Sequence, residues 1–365
     1  MNRRIFLQSS LAAVAASPVL GALDGSRLED AAKVLSDAAA AGPMKSATIY
    51  VAQEGNSFSG AFGAAANVEA MFLLGSISKP INMTALMTLY DRGEFQLDDK
   101  VQKFLPQFSG EGREAVTMQH LLTHTSGLPD QLPENDRLRK SHAPLSEFVA
   151  HAVKTPLLFK PGEKYQYASM GILLAAHVAE RISGTDILTL VDRAVFQPRG
   201  RKHSAQGLGR FKQEDFVTVQ AEFGAIESGG GDPSAKDWNW NSAYWRKLGA
   251  PWGGVHCSAP DVARWLRELL FAEGKVVRPE TARLMTRNHN PPGFTPRGLG
   301  LAVGEPAGSP GCSPQVFGHG GSTGTICWAD PATKTICVVL TSLPSRAVKP
   351  HPRELAAAKV AQAAK

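Results

Sequence analysis

The period of the apolar residues changes twice along this chain, and those changes limit its fold more than any single motif does. Residues 27–41 place Leu28, Ala31, Ala32, Leu35 and Ala38 on one helical face, with Ser26 as the expected N-cap. Residues 46–53 and 57–62, divided by Glu54-Gly55-Asn56, predict a hairpin. From Ser76 to about Ala272 the period is mostly helical, with breaks at Gly93, Gly127, Pro161-Gly162, Gly184, Pro198 and Gly229-Gly230-Gly231. Within it Ser258-Ala259-Pro260-Asp261 is a helix start, with Ser as N-cap, Pro in the first turn and Asp at the third position. Beyond Gly298 the period shortens to strands expected at 299–303, 316–318, 325–329 and 335–341, followed by an alanine-rich helix at 352–364. Helix and strands at both ends around a helical middle predict an α+β fold. One sheet is built from both chain ends, flanked by the terminal helices, around a large helical insertion.

The N-terminus runs Met1-Asn2-Arg3-Arg4-Ile5-Phe6-Leu7-Gln8 and then an apolar, small-residue stretch from Leu11 to Ala22, too short to span a bilayer. Residues 1–22 are therefore expected to be an export signal, and the paired arginines resemble a twin-arginine signal that carries folded passengers. Cleavage after Ala15 or after Ala22 fits, and an ordinary secretory signal or an uncleaved anchor is the alternative. The expected location is periplasmic or secreted, with membrane contact only through this segment. The formal charge of +6 falls to +4 without Arg3 and Arg4, and the charges are interspersed with no basic stripe. Nucleic acid is not an expected partner. The four cysteines, Cys257, Cys312, Cys327 and Cys337, include no C-x-x-C pair. Cys327 and Cys337 flank the turn-like residues 330–334, so they form either a cross-hairpin disulfide or, as twin-arginine export favours, two buried free thiols.

Chemistry concentrates at Ser76-Ile77-Ser78-Lys79. A serine hydroxyl is a poor nucleophile without a base in reach and donors aimed at the developing oxyanion. Residues three apart share a helix face, so the Lys79 amine can approach the Ser76 hydroxyl at a positive helix N-terminus. An S-x-x-K match alone arises by chance about once in a chain this long, and a capping serine followed by a solvated lysine explains it equally.

Further motifs change that weighting. Gly75-Ser76-Ile77-Ser78-Lys79-Pro80, residues 93–99, Leu121-Leu122-Thr123-His124-Thr125-Ser126-Gly127-Leu128, Pro161-Gly162 leading to Tyr165-Gln166-Tyr167-Ala168-Ser169, Gly253-Gly254 and Gly318-His319-Gly320-Gly321-Ser322 follow one another in a fixed order. Together they resemble the class C β-lactamase and penicillin-binding-protein-like serine hydrolase family over roughly residues 47–342. The resemblance implies a β-lactamase/transpeptidase-like fold with an antiparallel sheet. Residues 23–365 would form one catalytic domain, its α/β part at about 27–75 and 295–365 and its helical part at about 76–294. It also implies that Ser76 is the acylated nucleophile, Lys79 its proton partner and Tyr167 the second general base, with Tyr165 as the competitor for that role. Backbone N–H groups of Ser76 and Ser322 would form the oxyanion hole, beside a strand edge opened by Gly320 and Gly321. Two positions depart from the β-lactamase pattern, although His-x-Gly at the second is found in many relatives of the family. Ser169 stands where an asparagine usually offers both a donor and an acceptor, and His319 replaces a fixed charge with a group that ordinarily titrates near neutrality.

The expected function is acyl-enzyme hydrolysis of an ester or amide in a small-molecule or peptide substrate, of carboxylesterase or D-amino-acid peptidase type. β-Lactamase or DD-carboxypeptidase activity is the first alternative and a non-catalytic cell-wall peptide module the second. No metal or organic cofactor is implied. His120 and His124 stand four apart like zinc ligands, but Leu121 occupies the place of the required glutamate, and a short helix capped by Thr117 accounts for them. Gly320-Gly321-Ser322-Thr323-Gly324 also fits the nucleophile elbow of α/β-hydrolases, with Asp330 and His351 in order, but a strand rather than a helix is expected after it. Trp238, Trp240, Trp245 and Trp252 suggest either an aromatic wall for substrate or loop packing, with Gly229-Gly230-Gly231 as a hinge that would let the segment move.

Overall fold

A computed structural model describes residues 24–364, so the expected export segment lies outside the described residues. Among the described residues nine strands form two sheets: β1 (Ser46–Gln53), β2 (Asn56–Gly63), β3 (Phe72–Leu73), β4 (Ser204–Gln206), β5 (Val255–Cys257), β6 (Ala302–Val303), β7 (Phe317–Gly321), β8 (Thr325–Asp330) and β9 (Thr335–Thr341). The larger sheet has the order β2-β1-β9-β8-β7-β6 and is antiparallel throughout, so both chain ends contribute to it as the sequence predicts. Five principal helices accompany it: α1 (Gly25–Ala41), α2 (Ser78–Asp91), α3 (Ser169–Ser183), α4 (Ala259–Phe271) and α5 (Pro352–Ala363).

Strand β9 explains how the layers assemble. It reads Thr-Ile-Cys-Val-Val-Leu-Thr and is buried on both sides, as a strand covered on both faces must be. Ile336, Val338 and Leu340 face the helical region and α4, whereas Cys337 and Val339 face Leu28, Leu35, Ala357 and Val360 of the terminal helices. Alternation with period two distributes these apolar side chains between two cores. The same alternation decides the cysteine question. Cys327 pairs with Val338 and Cys337 with Trp328, so the thiols point to opposite faces, and all four cysteines are free.

Several local expectations shift. The N-cap of α1 is Asp24 rather than Ser26: its carboxylate accepts from both the Ser26 backbone N–H (3.0 Å) and the Ser26 hydroxyl (2.7 Å). The strand expected at 299–303 shrinks to Ala302–Val303, because Gly300 turns left-handed (φ +83°) and gives its N–H to Leu122 O instead of a strand. A second sheet, β3-β5-β4, with β4 and β5 inside the helical region, escapes a periodicity reading because its strands are only two or three residues long. Ser258 caps α4 as expected, its hydroxyl accepting from Asp261 N–H.

Helix α2 is buried all round from Ser78 to Leu89, not along one stripe. Most of its polar groups find partners: Asn82 Nδ2 donates to Ser78 O (2.9 Å) and Gln206 Oε1 (3.1 Å), and Thr84 donates to Pro80 O (2.8 Å), while Asn82 Oδ1 stays buried without one. Burying such groups unpaired would cost about 1–3 kcal/mol each. The helix that carries Lys79 is thus fixed from every side.

The cysteine geometry predicts that the chain, unfolded without reductant, takes up four alkyl groups by mass spectrometry. Uptake of two would contradict the register of β8 and β9.

Candidate active site

Ser76 lies in a tight 3-10 turn, Gly75–Ile77, that leads directly into α2. Gly75 adopts φ +56°, and a Cβ there would stand 2.9 Å from Thr323 Oγ1 and 3.2 Å from Ser322 N. Only glycine lets this turn press against the loop between β7 and β8. The loop is held there by Thr323 and Thr325, whose hydroxyls donate to Leu73 O (2.6 Å) and Leu74 O (2.7 Å). Gly321 closes the contact, since a Cβ on it would meet Leu74 O at 2.2 Å, whereas Gly320 is exposed and open. Ser76 and Ser322 therefore line one cavity of about 160 Å³.

Lys79 is 1% exposed, and its Nζ donates to Ser76 Oγ (3.0 Å) and to Trp252 O (2.9 Å). The second acceptor sits just before β5, where Gly254 packs so closely that a Cβ would stand 2.5 Å from Ala250 N. Ser78 locks the same strand by accepting from Val255 N–H (2.9 Å). The lysine is thus a buried partner of Ser76 and not a solvated side chain behind a helix cap.

Tyr167 completes the group. The Lys79 amine stands 4.8 Å from its ring centre, Tyr167 lines the same cavity as Ser76, and its hydroxyl is buried without a hydrogen-bond partner. Tyr165 does not line the cavity, and burial raises its hydroxyl's pKa despite the neighbouring Arg297. The tyrosine segment is held by His124, itself left-handed at φ +60°, whose O accepts from Gln166 N–H (2.9 Å) and whose Nδ1 accepts from Ala168 N–H (3.2 Å). Its ring packs 4.6 Å from that of Tyr167. His120 completes the Thr117 cap through Nδ1.

The substrate-side expectations change more. Ser169 lines the cavity, but its N–H (2.9 Å) and hydroxyl (2.5 Å) both donate to Asp130 Oδ1, which caps α3 in place of Ala168, whose methyl group cannot accept a hydrogen bond. His319 does not titrate near neutrality. Burial pushes its pKa well below the ordinary value, and the Arg297 and Lys79 charges push it further the same way. Its Nδ1 faces the Gly320 carbonyl at 2.7 Å, as a neutral N–H donor would. The fixed charge behind the tyrosines is Arg297, buried with its guanidinium 5.3 Å from the Tyr167 ring centre and 5.8 Å from that of Tyr165. The loop sequence around Arg297 carried no signal for this placement.

Two other constellations come apart. Ser322 is followed by strand β8, Asp330 is occupied by Ser313 N–H and hydroxyl (2.7 and 2.5 Å), and His351 caps α5, so the α/β-hydrolase order is not assembled into a triad. The tryptophans divide: Trp240, Trp245 and Trp252 line the cavity, whereas Trp238 packs elsewhere, with the Lys140 amine 5.7 Å from its ring. Gly229 and Gly230 are packing glycines rather than a free hinge, because a Cβ would meet Ala235 Cβ at 2.3 Å or Gly224 O at 2.0 Å.

Burial lowers the pKa of His124 and His319 well below the ordinary value and that of His256 to about 3. Below about pH 6.5 the unfolded chain binds protons that these folded imidazoles refuse, so their stabilisation is complete above that pH and is lost as pH falls. Urea unfolding should give a plateau from about pH 7 upward and declining stability towards about pH 5. Greater stability at the acid end would contradict the neutral assignment.

Comparison with known proteins agrees with this geometry. The Beta-lactamase family profile matches residues 31–362. Esterase EstB of Burkholderia gladioli is 33% identical over 180 residues, covering 45% of this chain and 43% of EstB. A putative D-alanyl-D-alanine carboxypeptidase of Escherichia coli K12 is 23% identical over 286 residues, 71% of this chain and 66% of that protein. The matched part of the chain thus spans less than two thirds of either relative. Among solved structures, the penicillin-binding-protein homologue from Caulobacter crescentus superposes with a TM-score of 0.76 at 19% identity, covering 96% of this chain and all of that one. EstCE1, a hydrolase with promiscuous acyltransferase activity, gives 0.74 at 22% identity over 91% of this chain and 99% of its own; both likenesses bear on the fold alone. With the profile covering nearly all the described residues, the chain belongs to the beta-lactamase family of serine hydrolases.

Proposed function

We propose that this protein hydrolyses an ester or amide through an acyl-enzyme on Ser76, as a carboxylesterase or D-amino-acid peptidase in preference to a β-lactamase. The observation that carries the reading is the 3.0 Å contact between the buried Lys79 amine and the Ser76 hydroxyl. Ser76 Oγ attacks the carbonyl carbon and its proton passes to the Lys79–Tyr167 pair. The backbone N–H groups of Ser76 and Ser322 receive the oxyanion. Collapse of the tetrahedral adduct breaks the bond to the leaving alcohol or amine, which takes up the proton, and water releases the acid by the reverse sequence. The Tyr167 hydroxyl supports this role, because a buried hydroxyl without a partner costs about 1–3 kcal/mol and a leaving-group atom would relieve it.

The names of EstB and the putative D-alanyl-D-alanine carboxypeptidase support ester or peptide substrates. A neutral, buried His319 and a Ser169 tied to Asp130 weigh against a β-lactam, whose carboxylate and amide would find neither a strand cation nor a free side-chain amide. A module that only binds peptide has no use for a lysine desolvated against Ser76. We also propose that residues 1–22 direct export to the periplasm or medium by the twin-arginine route; four free thiols accord with folding in a reducing compartment.

Against a panel of p-nitrophenyl esters, nitrocefin and D-alanyl peptides, Ser76→Ala and Lys79→Ala should each lose on the order of 10⁴-fold or more in kcat/KM. Tyr167→Phe should lose about 10²- to 10⁴-fold. Full hydrolysis by Ser76→Ala would refute the assignment. Faster turnover of nitrocefin than of every ester and peptide would refute the substrate class.

A further inference from the structure

One charged side chain in the cavity plays no part in the chemistry proposed above. Arg139 is 2% exposed and lines the same cavity as Ser76, and its guanidinium stacks 4.1 Å from the centre of the Trp245 ring. Its Nε donates to Asn135 Oδ1 (3.1 Å), but its Nη1 is buried without a partner. No ion pair is formed between Arg139 and any carboxylate among the described residues. Burial lowers its pKa to about 10, so it remains charged at neutral pH, with Tyr244, Glu227 and Asp136 opposing the shift. A buried cation held only by one amide and one aromatic face is costly unless an anion completes it.

The other charges of the cavity do not supply that anion. Asp130 is engaged by the backbone N–H and hydroxyl of Ser169 at the start of α3. Glu227 is partly buried and forms no ion pair with Arg139, although its charge acts on the guanidinium from a distance. The guanidinium fork matches a carboxylate better than any other substrate group of this size. The walls of Trp240, Trp245 and Trp252 would cover the apolar carbons between that carboxylate and the reacting carbonyl.

We infer that Arg139 is a specificity-determining residue that binds a carboxylate on the substrate group filling the tryptophan-lined cavity. The preferred substrates are thus anionic acyl esters or amides. This inference rests on the hydrolase reading of Ser76.

The test compares p-nitrophenyl hemiesters of succinic, glutaric and adipic acid with neutral p-nitrophenyl esters of matched chain length. Wild-type protein should prefer at least one hemiester by about 10-fold or more in kcat/KM. Arg139→Gln should lose about 100-fold on that hemiester, mainly in KM, while the neutral ester stays within about 3-fold. Arg139→Lys should recover part of the loss. A wild type that prefers every neutral ester overturns the inference without recourse to a variant, and so does an equal loss on both substrates in a folded Arg139→Gln. Failure of the hydrolase reading shows separately, as absence of fluorophosphonate labelling at Ser76. In that case quenching of tryptophan fluorescence by glutarate decides: saturation that Arg139→Gln abolishes supports the site, and no Arg139-dependent saturation overturns it.

Discussion

The contact on which the rest of this molecule depends is a lysine amine removed from water and shared between a serine hydroxyl and a backbone carbonyl. Taking an ammonium out of water costs several kcal/mol unless its donors are met with good geometry. Lys79 meets Ser76 Oγ and Trp252 O, and each acceptor is fixed by structure that leaves no room for drift. Ser76 is set by the left-handed Gly75 turn against Ser322 and Thr323, and Trp252 by the Gly254 turn into β5. The strand β5 is in turn tied to α2 through Ser78 and to β3 through Leu74. Helix, small sheet and large sheet thus converge on one side chain, which explains why α2 is buried all round rather than amphipathic.

Electrostatics around that contact follow from the same burial. Lys79, Arg297 and Arg139 bring positive charge to a buried region, and the imidazoles near the first two stay neutral there, through burial first and these charges second. Asp130 lines the cavity, and its Oδ1 accepts from the Ser169 hydroxyl and backbone N–H at the N-terminus of α3. The Tyr167 ring centre lies 4.8 Å from the Lys79 amine and 5.3 Å from the Arg297 guanidinium, so both cations pack against one aromatic ring.

Much of this was legible in the sequence, for identifiable reasons. The hairpin of β1 and β2 and the full extent of β9 followed from period and turn residues, because their apolar positions number enough to show a pattern. Ser76, Lys79 and Tyr167 were found through motifs whose order is improbable by chance, and the geometry brings all three to one cavity. What escaped has a common cause in tertiary context. Strands of two or three residues have no period to detect, so β3 was missed and β4 and β5 were read as helical territory. Arg139 and Arg297 look like ordinary surface charges in sequence, and only the packing of Trp245 and the two tyrosines makes them buried cations. His319 misled for the same reason, since its proton affinity depends on neighbours distant in the chain. The glycines at 229 and 230 looked like a hinge because sequence cannot distinguish a glycine that is free from one that is crowded.

The central claim is that contact with Lys79 makes Ser76, and neither Ser78 nor Ser322, the reactive serine. Treatment of the folded protein with a fluorophosphonate followed by peptide mapping addresses it most directly. The account predicts one adduct, on Ser76, formed rapidly by the wild type and slowed by orders of magnitude in Lys79→Ala. An adduct on Ser322 or Ser78, or labelling of Ser76 at an unchanged rate without the lysine, would contradict it.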